Sequence, residues 1–376
     1  MESRPVRPQR APLGVPASFR RILIVKLSAL GDVAHALPAA DYLRRVVPGA
    51  EIDWVVDRRF ADIVLGNPAL RRVVPLDLRR WKEDWRSEST RREALAAVRD
   101  LRAARYDAAF DFQGNVKSGA VTLLSGARLR FGFDRTGVRE GPNVLFTNRR
   151  ARSRPEDVHV TEKILRVASL PFGEVFPVPW PRPVIATGLE HEDLAARVAE
   201  ELLPGSSPRL LVHAGTTWNT KRMDSAFWAE TARLVRARNP GLGVFLSWGT
   251  EGERAEAEEI AEKLGGAVAV LPRMTLKELA AFARRCGHVL GPDTGPLHLA
   301  AAAGAKSVSV FRGSDGTYAA PRGDGHRFLQ APLPCTACQI KGDKVCERDA
   351  LCRASIPPAA AADAMAGLMA AGAARC

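Results

Sequence analysis

RILIVKLSALGDVAHALPAADYLRRVVPGAEIDWVV, residues 21–56, decides the fold. Arg21–Leu27 is an apolar run of strand length, and Ser28–Gly31 is a short loop. Val33–Val46 then repeats apolar residues at helical spacing until Pro48-Gly49 stops it. Ile52–Val56 is a second buried strand. A strand, a helix and a strand at this spacing form a βαβ unit, whose two strands run parallel.

The pattern continues outward. Phe60–Leu65 reads as a helix, Arg72–Leu76 as a strand, Arg91–Ala104 as an amphipathic helix and Ala108–Asp111 as a strand. It weakens through 126–185, where Pro, Arg and Gly accumulate, and restarts at Arg209–Val212. A polar loop, His213–Asp224, leads to the helix Phe227–Arg238 and the strand Gly243–Ser247. Then come helix Glu251–Leu264, strand Val268–Leu271, helix Leu276–Arg285, strand His288–Leu290 and helix Pro296–Ala303; Ser307–Phe311 closes the series. The expected class is α/β with two Rossmann-like domains. The expected order is a flexible tail over 1–19, a first domain over 20–180, a linker near 175–205, a second domain over 200–350, and a C-terminal helix or tail over 351–376. Ligands of parallel sheets sit beyond the carboxyl ends of the strands, here the loops 28–32, 113–117, 213–221 and 291–298. Two facing sheets are expected to set these loops on opposite walls of one cleft.

Composition agrees. A chain of 376 residues, 46% hydrophobic and 26% charged, is globular and long enough for two domains. The best membrane-span candidate, Ala354–Ala374, is mostly alanine and carries Pro357, Pro358 and Asp363. The N-terminus has arginines but no apolar h-region, so the reading is of a soluble, intracellular chain. The net charge of +13 suits a polyanion: nucleic acid, an anionic membrane surface or a phosphorylated substrate. No zinc-finger helix or RNP-like aromatic motif accompanies it.

The candidate residues each have a plain reading too. Asp32 at a strand-to-helix turn is either an N-cap or a carboxylate general base. His213-Ala214-Gly215-Thr216-Thr217-Trp218-Asn219-Thr220-Lys221 offers hydroxyls and one lysine after a strand; it is a polar loop or a diphosphate site. Asp293-Thr294-Gly295-Pro296-Leu297-His298 opens a helix whose free N–H groups favour an anion; His298 is a core histidine or a ligand contact. Gln113-Gly114-Asn115-Val116-Lys117-Ser118 lacks the Walker spacing, which disfavours an NTPase. Arg79-Arg80-Trp81-Lys82 is a solvated basic loop or an acidic-group site. Cys335, Cys338, Cys346 and Cys352 crowd four thiols into a short C-terminal stretch. Three readings stay open for them: a structural zinc or iron–sulfur site, one or two disulfides, or free thiols. The expectation is that they staple a loop and take no part in chemistry.

Taken together, residues 21–57, DFQGNVKS (111–118), HAGTTWNTK (213–221), SWGTEGE (247–253), LPRMTL (271–276) and GPDTGPLHLAAA (291–302) resemble the bacterial lipopolysaccharide heptosyltransferases, glycosyltransferase family nine. The resemblance spans roughly 21–330 and is strongest to the type-I enzymes. It implies a GT-B fold and an inverting transfer of heptose from ADP-heptose to the Kdo region of the inner core. It further implies Asp32 as catalytic base and Lys221 at the ADP diphosphate. Thr216, Thr217, Thr294, Gly295 and His298 are implied diphosphate-side donors, Asp293 the carboxylate of the DTGxxH motif, Glu253 the ribose contact and Met274 a neighbour of adenine. LRRWKEDW (78–85) and DRTGVRE (134–140) resemble acceptor-side segments, so Ser28, Gly31, Arg79, Arg80, Lys82, Gln113, Lys117 and Arg139 are the implied acceptor contacts. No cofactor or catalytic metal is implied. The partners are an ADP-sugar, a phosphorylated lipid A–Kdo acceptor and the anionic inner face of the cytoplasmic membrane; no nucleic acid is expected. The readings held against this are a family-nine enzyme with another donor or acceptor, and a basic nucleic-acid-binding protein.

Overall fold

The computed structural model describes residues 19–173 and 183–373; the tail 1–18, the segment 174–182 and the last three residues, with Cys376, lie outside them. The chain divides into two compact units, Met1–Ala186 and Thr187–Cys376. The first holds strands β1 (Arg21–Val25), β2 (Glu51–Asp57), β3 (Arg72–Leu76), β4 (Ala108–Asp111), β5 (Leu129–Phe133) and β6 (Arg149–Ala151). They form one sheet in the order β3-β2-β1-β4-β5-β6, every pair parallel. The second holds β7 (Arg209–Val212), β8 (Gly243–Leu246), β9 (Val268–Val270), β10 (His288–Pro292), β11 (Lys306–Phe311) and β12 (His326–Gln330), also all parallel, ordered β12-β11-β10-β7-β8-β9.

Helices cover such sheets on both faces, so their central strands are buried all round and read as unbroken apolar runs. Ile22, Leu23, Ile24 and Val25 of β1 are all fully buried. Pro75, which has no N–H to give a ladder, falls on edge strand β3. Both sheets reverse direction of growth beside their first strand, between β1 and β4 and between β7 and β10. A crevice opens there at the carboxyl ends, and the loops after these four strands line the two crevices.

Several elements differ from the sequence reading. The first helix is Leu30–Val46, one turn earlier than expected, because Asp32 reaches back to the Ala29 N–H at 3.2 Å and closes the first turn. The basic segment Arg79–Lys82 is helical, within Leu78–Glu83, capped by Asp77. The weak stretch 126–185 contains β5, β6 and the helix Val160–Ser169. β6 is short and arginine-rich, and β5 carries Arg130 and Gly132 among its apolar residues, which hid them. Part of the expected linker is the helix Leu189–Leu202. Phe19, assigned to the tail, is buried and packs edge-on against Phe131 and Phe172. The series does not close at Phe311: β12 follows, and the C-terminal helix Pro358–Ala373 buries Ala361, Ala362, Met365, Leu368 and Met369 in the same core as Trp228. These positions recur at helical spacing and make one apolar face.

Candidate functional site

In the first unit the crevice lies between the loops after β1 and β4. Gln113, buried after β4, accepts from the Leu27 and Ser28 N–H groups through its Oε1 at 3.2 and 3.1 Å. This one side chain shapes the turn that carries Ser28, Gly31 and Asp32. Asp111, fully buried, accepts from the Gln113 and Gly114 N–H groups, the Ser118 hydroxyl and the Asn143 amide. Burial raises its pKa, and those four donors oppose the rise. Gly114 has a positive φ, and a Cβ there would lie 3.0 Å from the Phe133 ring and 3.3 Å from the Arg139 nitrogen, so the turn requires glycine.

Asp32 is partly exposed, with Arg139 Nη1 at 3.5 Å from its Oδ2. Beneath the loop the buried Lys26 donates from Nζ to the Phe112 carbonyl at 3.1 Å. Burial lowers the Lys26 pKa; Asp32 raises it, Arg139 lowers it and Asp111 raises it. Asp32 therefore stands beside the Arg139 guanidinium while also serving the first turn of its helix. Lys117 is exposed at the start of the helix Val116–Leu124. Arg79 pairs with Glu83 at 2.9 Å, Arg80 pairs with Asp77 and Glu93, and Lys82 is exposed. The structure gives the two arginines intrahelical and interhelical partners, as a solvated basic surface would have.

In the second unit the loops after β7 and β10 meet. A one-turn 3-10 helix, Asn219–Lys221, aims Lys221 Nζ at Asp293 Oδ2, 2.5 Å away. His298 Nε2 lies 2.8 Å from Asp293 Oδ1, and the Ser314 hydroxyl donates to Oδ2 at 2.6 Å. Burial pushes the Asp293 pKa up, but the His298 hydrogen bond and charge, with Lys221, hold it well below the usual carboxylate range. Lys221 also stands 4.1 Å over the Trp218 ring. Thr294 caps the helix Gly295–Ala302 without a side-chain cap hydrogen bond, so no cap side chain takes up the first N–H groups of that helix, which follow Asp293 directly in the chain. Gly291 lets β10 approach β7: a Cβ there would lie 2.6 Å from the His213 carbonyl. Thr216 is buried and Thr217 exposed on the same loop.

Glu253 completes the capping box of the helix Glu251–Leu264, its Oε2 accepting from Gly249 and Thr250, while its carboxylate leans on Gly215, where a Cβ would lie 2.5 Å away. Burial pulls the pKa of His213 down; its Nδ1 lies 3.1 Å from the Ser247 hydroxyl. Met274, partly buried, follows edge strand β9, which β8 separates from β7. Sequence reasoning missed Ser314, Lys26 and Asp111. Ser314 follows the carboxyl end of β11, a position that the strand-end rule would have flagged.

The four clustered cysteines are free thiols that line one small recess with Thr220, Arg312 and Gly313. None of the four is in a disulfide, and among the described residues no group of three or more His, Cys, Asp or Glu side chains is arranged to hold a metal ion. Among the same residues no helix is long and apolar enough to cross a membrane.

The profile of glycosyltransferase family 9 (heptosyltransferase) matches residues 94–347. The chain belongs to glycosyltransferase family 9. This family-9 enzyme is 36% identical over 324 residues to lipopolysaccharide heptosyltransferase 1 of Pseudomonas aeruginosa, covering 85% of this chain and 86% of the relative. It is 34% identical to the Salmonella typhimurium protein of the same name, covering 78% and 89%. Among solved structures, E. coli heptosyltransferase WaaC with ADP-2-deoxy-2-fluoro heptose superposes with a TM-score of 0.68 at 30% identity, covering 85% of this chain and 97% of that one. The family-9 transferase is thus a glycosyltransferase of the GT-B class, built from two Rossmann-like units.

Proposed function

We propose that this enzyme transfers heptose from ADP-heptose to the Kdo region of the lipopolysaccharide inner core, inverting the anomeric centre. The observation that carries the reading is the Lys221–Asp293–His298–Ser314 cluster at the β7/β10 crevice, beside a helix N-terminus. An ammonium with free N–H groups and hydroxyls around it binds a diphosphate and stabilises the charge that gathers on it as the glycosidic bond breaks. Thr216, Thr217, Thr294 and Gly295 supply further donors, Asp293 holds Lys221 and His298 in place, Glu253 meets the ribose and Met274 the adenine. Asp32 takes the proton of the acceptor hydroxyl, which attacks the anomeric carbon as ADP leaves. Ser28, Gly31, Gln113, Lys117, Arg139, Arg79, Arg80 and Lys82 serve the acceptor side.

The charge of +13 suits a phosphorylated glycolipid presented at an anionic membrane face. Trp85 adds support: it is 60% exposed, follows the basic helix Leu78–Glu83, and has the Arg86 guanidinium 5.0 Å from its ring. A peripheral position at the inner face of the cytoplasmic membrane follows from this reading.

The test is incubation of the protein with ADP-heptose and a lipid A–Kdo acceptor, with ADP release and the heptosylated product read by mass spectrometry. ADP-, UDP- and GDP-sugars are compared as donors. Product with ADP-heptose alone is expected; product only with another donor, or none, overturns the assignment. Co-sedimentation with anionic but not zwitterionic vesicles, weakened by salt, checks the membrane part.

A further inference from the structure

The cysteine-bearing segment 335–352 belongs to neither sheet, yet it is tied to the turn that presents Lys221. The Asn219 N–H donates to the Gly342 carbonyl and its side-chain amide to the Asp343 carbonyl, both at 3.0 Å. The buried Thr220 hydroxyl donates to the Ile340 carbonyl at 2.7 Å. A second strap runs through the loop after β11: Gln339 N–H donates to the Gly313 carbonyl at 2.8 Å, and Gly313 N–H to the Thr220 carbonyl at 3.0 Å. Gly313 has no room for a side chain, since a Cβ would lie 2.4 Å from the Thr220 hydroxyl oxygen. Buried Arg312 joins both sides, donating to the Arg222 carbonyl and to Asp349.

Two of these residues sit next to the charge cluster in the chain. Thr220 precedes Lys221, and Gly313 precedes Ser314, which donates to Asp293. The recess walled by the four thiols lies against Thr220, Gly313 and Arg312. Cys352 packs against the core of the second unit, but the rest of the segment has little apolar anchorage: Val345 is 83% exposed and Leu351 is 59% exposed. Hydrogen bonds to the Lys221 turn, with the Arg312–Asp349 pair, therefore supply most of its hold, and a segment with so little buried apolar area opens at low cost.

We propose that the four-cysteine segment is a positioning brace for Lys221 and Ser314, acting through Thr220 and Gly313, so that the state of the thiols and nucleotide occupancy of the Lys221 turn are coupled. The proposal rests on the reading of Lys221 as the diphosphate contact. Coupling between two sites is reciprocal. Nucleotide that orders the turn must then slow chemical access to the thiols, and thiol modification that displaces the segment must weaken nucleotide binding.

The experiment uses the intact chain and N-ethylmaleimide. Labelling of Cys335, Cys338, Cys346 and Cys352 is followed by peptide mass spectrometry with and without saturating ADP, with buried Cys286 as the internal reference. ADP affinity is measured before and after labelling, and in Thr220→Val. ADP is expected to slow labelling of the cluster, and both treatments to raise the Kd for ADP by roughly five- to 150-fold, the usual range of such coupling. The donor KM should rise more than kcat falls. Labelled protein that still melts cooperatively and binds ADP like the untreated chain overturns the brace. If Lys221→Ala weakens ADP binding while labelling and Thr220→Val do not, the brace alone fails. If Lys221→Ala leaves ADP affinity unchanged, the diphosphate reading fails and the brace falls with it.

Discussion

Lys221 Nζ and Asp293 Oδ2 lie 2.5 Å apart, each side chain less than one-sixth exposed, although 72 residues separate them in the chain. Sheet order makes this contact: β7 and β10 are neighbours, so the loops that follow them share one crevice. Asp293 serves as the counter-ion that fixes the position of the lysine.

Lys221→Ala removes that ammonium and leaves a buried carboxylate with His298 and Ser314. A charge-assisted hydrogen bond contributes about 1.5–3 kcal/mol, so ADP affinity should fall by roughly ten- to 150-fold. Calorimetric titration with ADP measures it. An unchanged Kd alongside a lowered Tm would make the lysine a structural counter-ion of Asp293 only.

Asp32→Asn keeps an acceptor oxygen for the Ala29 N–H but cannot take a proton. Turnover should drop by about 10²–10⁴-fold, the usual contribution of a general base, with ADP affinity unchanged. Near-normal turnover would return Asp32 to its role in the first turn of its helix.

Gln113→Leu leaves the Leu27 and Ser28 N–H groups without the acceptor they share. A buried donor left unpaired costs about 1–3 kcal/mol, so the Tm should fall. Because the same bond shapes the Asp32 turn, kcat should fall while ADP affinity holds. Lower stability with full turnover would separate Gln113 from the site.

His326, paired with the Ser307 hydroxyl at 2.8 Å, has its pKa pulled down to about 4, by burial first and then by Arg327. Above the ordinary histidine value both folded and unfolded forms are neutral, and the residue is neutral in its effect. As the pH falls from about 6.5 to about 4, only the unfolded chain takes up the proton, so stability is lost; below that the loss levels off. The full loss is on the order of 3 kcal/mol. His213 and His288, also lowered by burial, act in the same direction. Urea unfolding at pH 7 and pH 5 should show a smaller loss in His326→Asn than in the parent chain. Equal losses would mean that His326 does not titrate in this way.

Much of this protein was legible locally. Buried parallel strands have to be apolar on both faces, so RILIV (21–25) and RLLV (209–212) announce themselves, and the strand-end rule points to the loops with Asp32, Gln113, Lys221 and Asp293. Arginine-bearing strands such as Arg149–Ala151 do not, because an edge strand need bury only part of its surface.

The amino-acid sequence by itself determined the class of fold, the two parallel sheets and the candidate loops, since strand and helix periodicities are short-range properties of the chain. Tertiary structure decided the partnerships. Asp293 meets Ser314 across 21 residues, Asp32 meets Arg139 across 107, and Thr220 meets Ile340 across 120. No local pattern encodes such pairs, because sheet order and loop packing choose which distant polar groups are buried together. The same reason explains the cysteines: nothing in their local sequence announces that packing sets them against the turn that carries Lys221.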